Sequence, residues 1–224
     1  MANKNIRFKH KIYFKVDDLR KIFEAGCTNE ILDFEKLIPT PKELLVEDTD
    51  RAYDGLTIYI HEIQDEKLRK QITEALHQGN VVSETVEDSV YDQLIEEYAD
   101  ELTQVRQLGE TYVTNLLKYG CVNCREWRLK NWGSECNADE VRFKIDDKGR
   151  ARIEYYSENG IPIRPLLELS KRIDGKLVDV FASDKFHTGT GIIAYNRGQI
   201  DGDKEYEDGE MAEMLWEGVW NEEE

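Results

Sequence analysis

The chain reads as an α+β protein: an antiparallel sheet with helices packed on one face, plus an acidic helical insertion. Three observations lead there. Alternation of period two opens the chain and returns in its second half. Residues 65–120 hold no proline and carry apolar side chains at helical spacing. The late elements run strand, strand, helix, strand, strand, an order that suits one helix on one antiparallel sheet.

In the first strand Phe8, Ile12, Phe14 and Val16 face one way, while Arg7, Lys9, Lys11 and Lys15 mostly face the other, which predicts a wet, basic face. Asp17 then offers an N-cap to a helix through Leu19, Ile22 and Phe23 that stops at Gly26. Pro39 and Pro41 force an extended path, so residues 34–41 read as a linker or edge segment. Residues 56–60, β-branched and aromatic, read as a second strand.

From Asp65 onward Gly79 and Gly109 divide the chain into three helical stretches, with Val86, Val90, Leu94 and Tyr98 on one stripe that Leu102 continues. Residues 140–145 and 151–156 flank Gly149 as a hairpin, residues 162–173 form a helix opened by Pro162, and residues 177–183 and 191–195 make a second antiparallel pair. The expected organisation is an N-terminal β-α-β part over 1–64, the acidic insertion over 65–120, a β-β-α-β-β part over 121–200 and an acidic tail over 201–224. Within the tail Met211, Met214, Leu215 and Trp216 group at helical spacing, which predicts an amphipathic helix that docks or awaits a partner.

A formal charge of −17 is the strongest compositional feature. Such a field repels phosphate backbones and anionic lipid and steers basic protein surfaces inward, so neither direct nucleic-acid binding nor a membrane partner is expected. The longest apolar runs fall far short of the roughly 20 residues of a membrane span. The opening residues carry no apolar signal-peptide core, and the expected location is the cytoplasm of the host cell.

Cys121, Cys124 and Cys136 have the spacing C-x2-C-x11-C. A tetrahedral zinc site would need a fourth ligand from Cys27 or His187, and free thiols are the preferred assignment, with no metal and no cofactor. His10, His61, His77 and His187 are scattered and read as isolated surface side chains. Nucleophile-elbow, Walker A and Rossmann patterns are absent; Gly189-Thr190-Gly191 is a turn, and a non-enzymatic role is expected. Carboxylates are too abundant for any pair to mark acid-base chemistry or a metal-dependent hydrolase. Residues 81–102, however, contain eight acidic side chains and no basic one, and the tail holds eleven against Lys204 alone. Ordinary surface helices intersperse both signs.

Residues 116–138, with Trp127, Asn131, Trp132, Gly133, Ser134, Asn137 and Ala138, resemble the YubB-type ferredoxin-like domain proteins of plasmids and phages, whose pattern there is an aromatic-rich helix running into Asn-Trp-Gly-Thr-Lys-Trp-Asn-Ala. Residues 34–41 and 163–176 are similar to two further segments of that family. Cys124 and Cys136 stand where the family has tryptophans, and Glu135 where it has lysine. The resemblance implies a ferredoxin-like sheet and a mobile-element origin, and no established activity. The stretch from Asn131 to Ser134 reads as a structural corner.

Charge and resemblance together suggest an anti-CRISPR-like inhibitor, a DNA mimic whose partner is a host nuclease or CRISPR effector with a basic nucleic-acid groove. The expected contacts are Glu84, Glu87, Asp88, Asp92, Glu96, Glu97, Asp100 and Glu101, then Glu207, Asp208 and Glu210. The alternative is a nucleic-acid accessory protein that uses the basic strand at residues 7–15 and stacks bases on Phe143, Tyr155 and Tyr156.

Overall fold

A computed structural model of the chain describes residues 6–78, 88–146, 149–185 and 189–221. Its elements run β1 (Arg7–Phe14), α1 (Leu19–Gly26), β2 (Cys27–Thr28), β3 (Ile31–Leu32), α2 (Phe34–Leu37), α3 (Asp50–Glu62), α4 (Glu66–Gln78), α5 (Asp88–Glu97), α6 (Leu102–Tyr119) and α7 (Cys124–Trp132). They continue with β4 (Asp139–Ile145), β5 (Ala151–Glu158), α8 (Ile163–Arg172), β6 (Lys176–Ser183), β7 (Thr190–Asn196), β8 (Gln199–Tyr206) and α9 (Glu210–Trp220). Two compact units result: Met1–Pro39 with Arg128–Glu224, and Thr40–Trp127.

The first unit is built on an antiparallel sheet ordered β4-β5-β1-β6-β7-β8. Within it β1, α1, β4, β5, α8 and β6 follow the split β-α-β-β-α-β path of the ferredoxin-like fold, with β1 central between β5 and β6. The protein is therefore α+β, with helices packed on an antiparallel sheet. Alternation sends Phe8, His10, Ile12 and Phe14 to one face, where Ile153, Tyr155, Leu177 and Phe181 complete a buried layer beneath α1, α2 and α8.

The other face is not open. Helix α9 lies over β1, β6 and β7, burying Ala212 and Val219. Expected helices on one face thus become helices on both, because the central strands carry enough apolar surface on their second side, from Val178, Val180, Ala182 and Ile192, to hold a helix. Lys9 and Lys11, expected to be wet, are 6% and 3% exposed beneath it.

Other expectations change as well. Residues 34–37 form a turn of helix rather than an extended edge, since the Asp33 carboxylate accepts from Glu35 N at 3.0 Å and caps it. The tail begins not as helix but as β8, which pairs with β7 from Gln199 to Tyr206. Its alternating Ile200, Asp201, Asp203 and Glu205 suit an exposed edge strand, whose charges discourage further pairing.

In the second unit residues 56–60 belong to α3, not to a strand. Ala52, Leu56 and Ile63 pack on Tyr112, Val113 and Leu116 of α6 and on Ile72 and Leu76 of α4, while Ile58 joins Leu94 and Val105 in a separate cluster. Burial on two sides selects the helical period over the β-branched propensity of the run. Gly109 sits inside α6 without breaking it; the break comes at residues 98–101.

Candidate functional site

Helix α5 presents the anionic surface of the second unit. Leu94, Ile95 and Tyr91 turn inward on Ile58 and Val105, and Tyr98 just beyond donates to Asp54 Oδ2 at 2.7 Å. That hydrogen bond, then burial, pushes the Tyr98 phenol up to about 12. With the apolar stripe committed, Asp92, Glu96, Glu97 and Asp100 are left exposed, and none pairs with a cation among the described residues. The predicted anionic surface is less continuous than its sequence: Asp88 meets His61 Nε2 at 3.1 Å and Glu101 meets Arg51 at 2.9 Å. Glu84 and Glu87 lie outside the described residues. A cavity of 460 Å³ in the same unit is lined by Val46, Glu47, Arg51, Gln104 and Thr111.

In the first unit Glu207, Asp208 and Glu210 are exposed where the chain passes from β8 to α9. The helix itself is fastened to the sheet at its C-terminal half. Lys11 Nζ donates to the Gly218 carbonyl at 2.7 Å and to the Asn221 carbonyl at 3.4 Å, placing a cation at the negative end of the helix dipole. The indole N–H groups of Trp216 and Trp220 both donate to the Ser183 carbonyl at 3.0 Å. The Trp220 ring centroid is 5.8 Å from Lys9 Nζ and 6.0 Å from the Tyr156 ring, to which it is tilted by 47°.

Beneath and beside α9 the sheet carries a charged face in register. Lys9 pairs across with Tyr156, Lys11 with Glu154 and Tyr13 with Arg152; Arg142 and Lys144 extend the last two rows onto β4. Burial raises the Glu154 carboxyl, but hydrogen bonds from Lys144 at 2.9 Å and Arg152 at 2.7 Å outweigh it and leave it below the usual range. Of the aromatics expected to stack bases, Tyr155 is fully buried on the opposite face and Phe143 packs on Phe23 at 4.6 Å. Tyr156 alone of the three borders this face, with the Arg7 guanidinium 3.9 Å above its ring.

A second constellation, not foreseen, lies in the core. His10 Nδ1 is 2.9 Å from Asp179 Oδ2 and His10 Nε2 is 2.8 Å from Ser157 Oγ, the relationship of a serine-histidine-aspartate relay. All three are buried to 1% exposure or less, and the Ser157 hydroxyl donates a hydrogen bond to the Gly160 carbonyl at 2.7 Å. A substrate reaches that hydroxyl only if the helical layer opens, so the arrangement orients β1, β5 and β6 rather than exposing a nucleophile. His10 was expected at the surface; its place on the apolar side of the β1 alternation, between Phe8 and Ile12, was the available signal.

The four cysteines are free thiols. Cys27 and Cys136 belong to the first unit and Cys121 and Cys124 to the second, while His187 lies outside the described residues. Burial pushes the Cys27 and Cys136 thiols up to about 11. Among the described residues no group of three or more histidine, cysteine or acidic side chains is placed to hold a metal ion.

The Asn131–Ser134 stretch is a corner. Gly133 takes a left-handed φ of 89° as α7 ends, Trp132 is fully buried with its indole N–H on the Ile38 carbonyl at 2.9 Å, and Ser134 Oγ bonds the Glu158 carbonyl at 3.2 Å.

No family model matches this chain, and no curated protein does. Among solved structures it is similar to protein api92 from Yersinia pseudotuberculosis, of the family model DUF1281, with 12% identity and a TM-score of 0.43 over 92% of this chain and 98% of that one. No helix among the described residues is long and apolar enough to cross a membrane.

Proposed function

We propose that the protein is a non-enzymatic binding protein of phage or plasmid origin that offers carboxylates to a cation-lined nucleic-acid groove of a host defence nuclease, with a CRISPR effector as the favoured target. The observation that carries this is the outward side of α5 and the turn that follows it, where Asp92, Glu96, Glu97 and Asp100 stand exposed and without a cationic partner among the described residues. A surface helix evolved only for solubility intersperses lysine and arginine. Charge partition supports the same assignment: residues 40–127 hold 19 acidic and 8 basic side chains, so the helical unit carries a large excess of acid, matched only by the tail at residues 201–224. Grooves that hold phosphate backbones concentrate Lys and Arg, and association with them is fast and salt-dependent.

The test uses the full chain and a variant with Asp92, Glu96, Glu97 and Asp100 each changed to lysine. Host lysate is passed over both, and proteins retained by the first but not the second are identified by mass spectrometry. The expected result is a nuclease, captured in a salt-sensitive manner, whose cleavage the unaltered protein inhibits and the variant does not. Equal inhibition by both proteins refutes the proposal.

A further inference from the structure

We propose that the sheet face beneath α9 is a binding site for single-stranded nucleic acid, and that α9 occupies its inner half as a tethered competitor. The inference rests on the first unit alone and is independent of the carboxylates of α5.

The charge distribution singles this face out. Residues 201–224 carry eleven acidic side chains and one basic, whereas the rest of the first unit, residues 1–39 and 128–200, carries 21 basic and 17 acidic. The body of the sheet unit is therefore cationic in an otherwise anionic protein. Arg7, Lys9, Lys11, Arg142, Lys144 and Arg152 share one sheet face, against Asp139, Glu154 and Glu158. Ion pairs already join Glu154 to Lys144 and Arg152, and Arg7 to both Asp139 at 3.0 Å and Glu140 at 2.7 Å.

The contacts of α9 outline what the face accepts. Lys11 takes carbonyl oxygens at the negative end of the helix dipole, a position that phosphate oxygens satisfy at least as well. Over the neighbouring Lys9 and Tyr156 lies the flat indole of Trp220, tilted 47° to the Tyr156 ring, and a nucleobase offers a comparable π-face. A hydrogen-bond-accepting oxygen on an ammonium group and a flat ring lodged beside Lys9 and Tyr156, repeated along a chain, describe a single strand; a duplex keeps its bases stacked inside. Beyond the cover, Tyr13, Arg142 and Lys144 continue the face at partly or fully exposed positions, so a strand can engage there first.

The cover is fastened at its C-terminal half and loosely seated elsewhere. Of the eleven residues of α9 only Ala212 and Val219 are buried, Trp216 and Trp220 are half-buried, and its N-cap is Gly209 with no side-chain hydrogen bond. A tethered competitor lowers apparent affinity in proportion to the time the site is covered.

The experiment compares the full chain with two release variants, Trp216→Ala/Trp220→Ala and Ala212→Asp, by fluorescence anisotropy with a labelled oligothymidine at low salt. Hydrogen exchange confirms that α9 amides lose protection while β1 and β5 keep theirs. Release is expected to tighten binding at least about tenfold. Adding Arg142→Glu/Lys144→Glu to a release variant is expected to remove that gain and flatten the salt dependence. Three results overturn the proposal: no gain on release with β1 and β5 still protected, a gain indifferent to Arg142 and Lys144, or release that yields a tail-exchanged dimer without oligonucleotide binding. Loss of β1 and β5 protection in both release variants also overturns it, because α9 would then be part of the core.

Discussion

Gly55 of α3 and Gly109 of α6 meet where the two helices cross: a Cβ built on Gly109 collides with the Gly55 carbonyl oxygen, and one on Gly55 collides with the Val105 carbonyl oxygen. Backbone contact this close leaves no room for a side chain on either helix. Gly109→Ala is expected to destabilise the helical unit by about 1–3 kcal/mol through overpacking. Gly218→Ala, where an added Cβ meets nothing within 4 Å in α9, is expected to be neutral or stabilising by up to about 1 kcal/mol. Urea titrations of both variants, followed by circular dichroism, check the contrast.

The buried network around His10 should respond asymmetrically. Asp179→Ala strands the His10 Nδ1 partner position in the core and is expected to cost about 1–3 kcal/mol. The hydroxyls of Tyr155 and Tyr195 are buried with no hydrogen-bond partner among the described residues, and burial followed by the Asp179 charge pushes both phenols up. Tyr195→Phe is therefore expected to leave thermal stability unchanged or raise it, whereas a clear loss would show that the hydroxyl is satisfied in solution.

Burial pushes the Glu126 carboxyl above its ordinary value of 4.5, and the nearby Asp48 charge adds to the effect, despite hydrogen bonds from Val122 N at 3.0 Å and Tyr53 at 3.4 Å. Because the folded state holds the proton more tightly than the unfolded one, stability from this group is full below pH 4.5 and falls as pH rises through the folded value. Glu126→Gln is expected to remove that decline and to match or exceed the parent at neutral pH. Denaturation midpoints across the acid range test it.

Lys11→Met should loosen α9 while sparing the central strands. The substitution keeps most of the stem's volume but removes donation to the Gly218 and Asn221 carbonyls, a charge-assisted bond whose loss costs about 1.5–3 kcal/mol. Faster exchange confined to α9 amides and a red shift of tryptophan emission are the expected signatures.

Particular residues show how far the chain could be read without its structure. The β4–β5 hairpin, α8 and the β6–β7 pair were legible because their alternation or helical spacing agrees with local turn chemistry, as at Gly149 with its φ of 73°. Residues 56–60 were not, because β-branched side chains fit a strand locally and only the partners α4, α5 and α6 make both sides of a helix worth burying. Gly109 looked like a helix breaker; its role is set by Gly55, far away in sequence. Asp92, Glu96, Glu97 and Asp100 were legible as an anionic surface, whereas the pairing of Asp88 with His61 and of Glu101 with Arg51 depends on side chains brought from α3.

By itself the sequence determined the α+β class, the late strand-strand-helix-strand-strand order, and the concentration of acid in residues 81–102 and in the tail, since periodicity, turn residues and charge are local properties; the ferredoxin-like path that joins β1 and α1 to that order was implied only by the family resemblance. Tertiary structure alone decided the fate of the basic strand. Alternation shows that Lys9 and Lys11 share a face, but their burial depends on α9, some 200 residues later, having indoles and helix-end carbonyls that those two ammonium groups can meet. Burial is a property of what arrives from elsewhere in the chain, and a strand cannot announce its own cover.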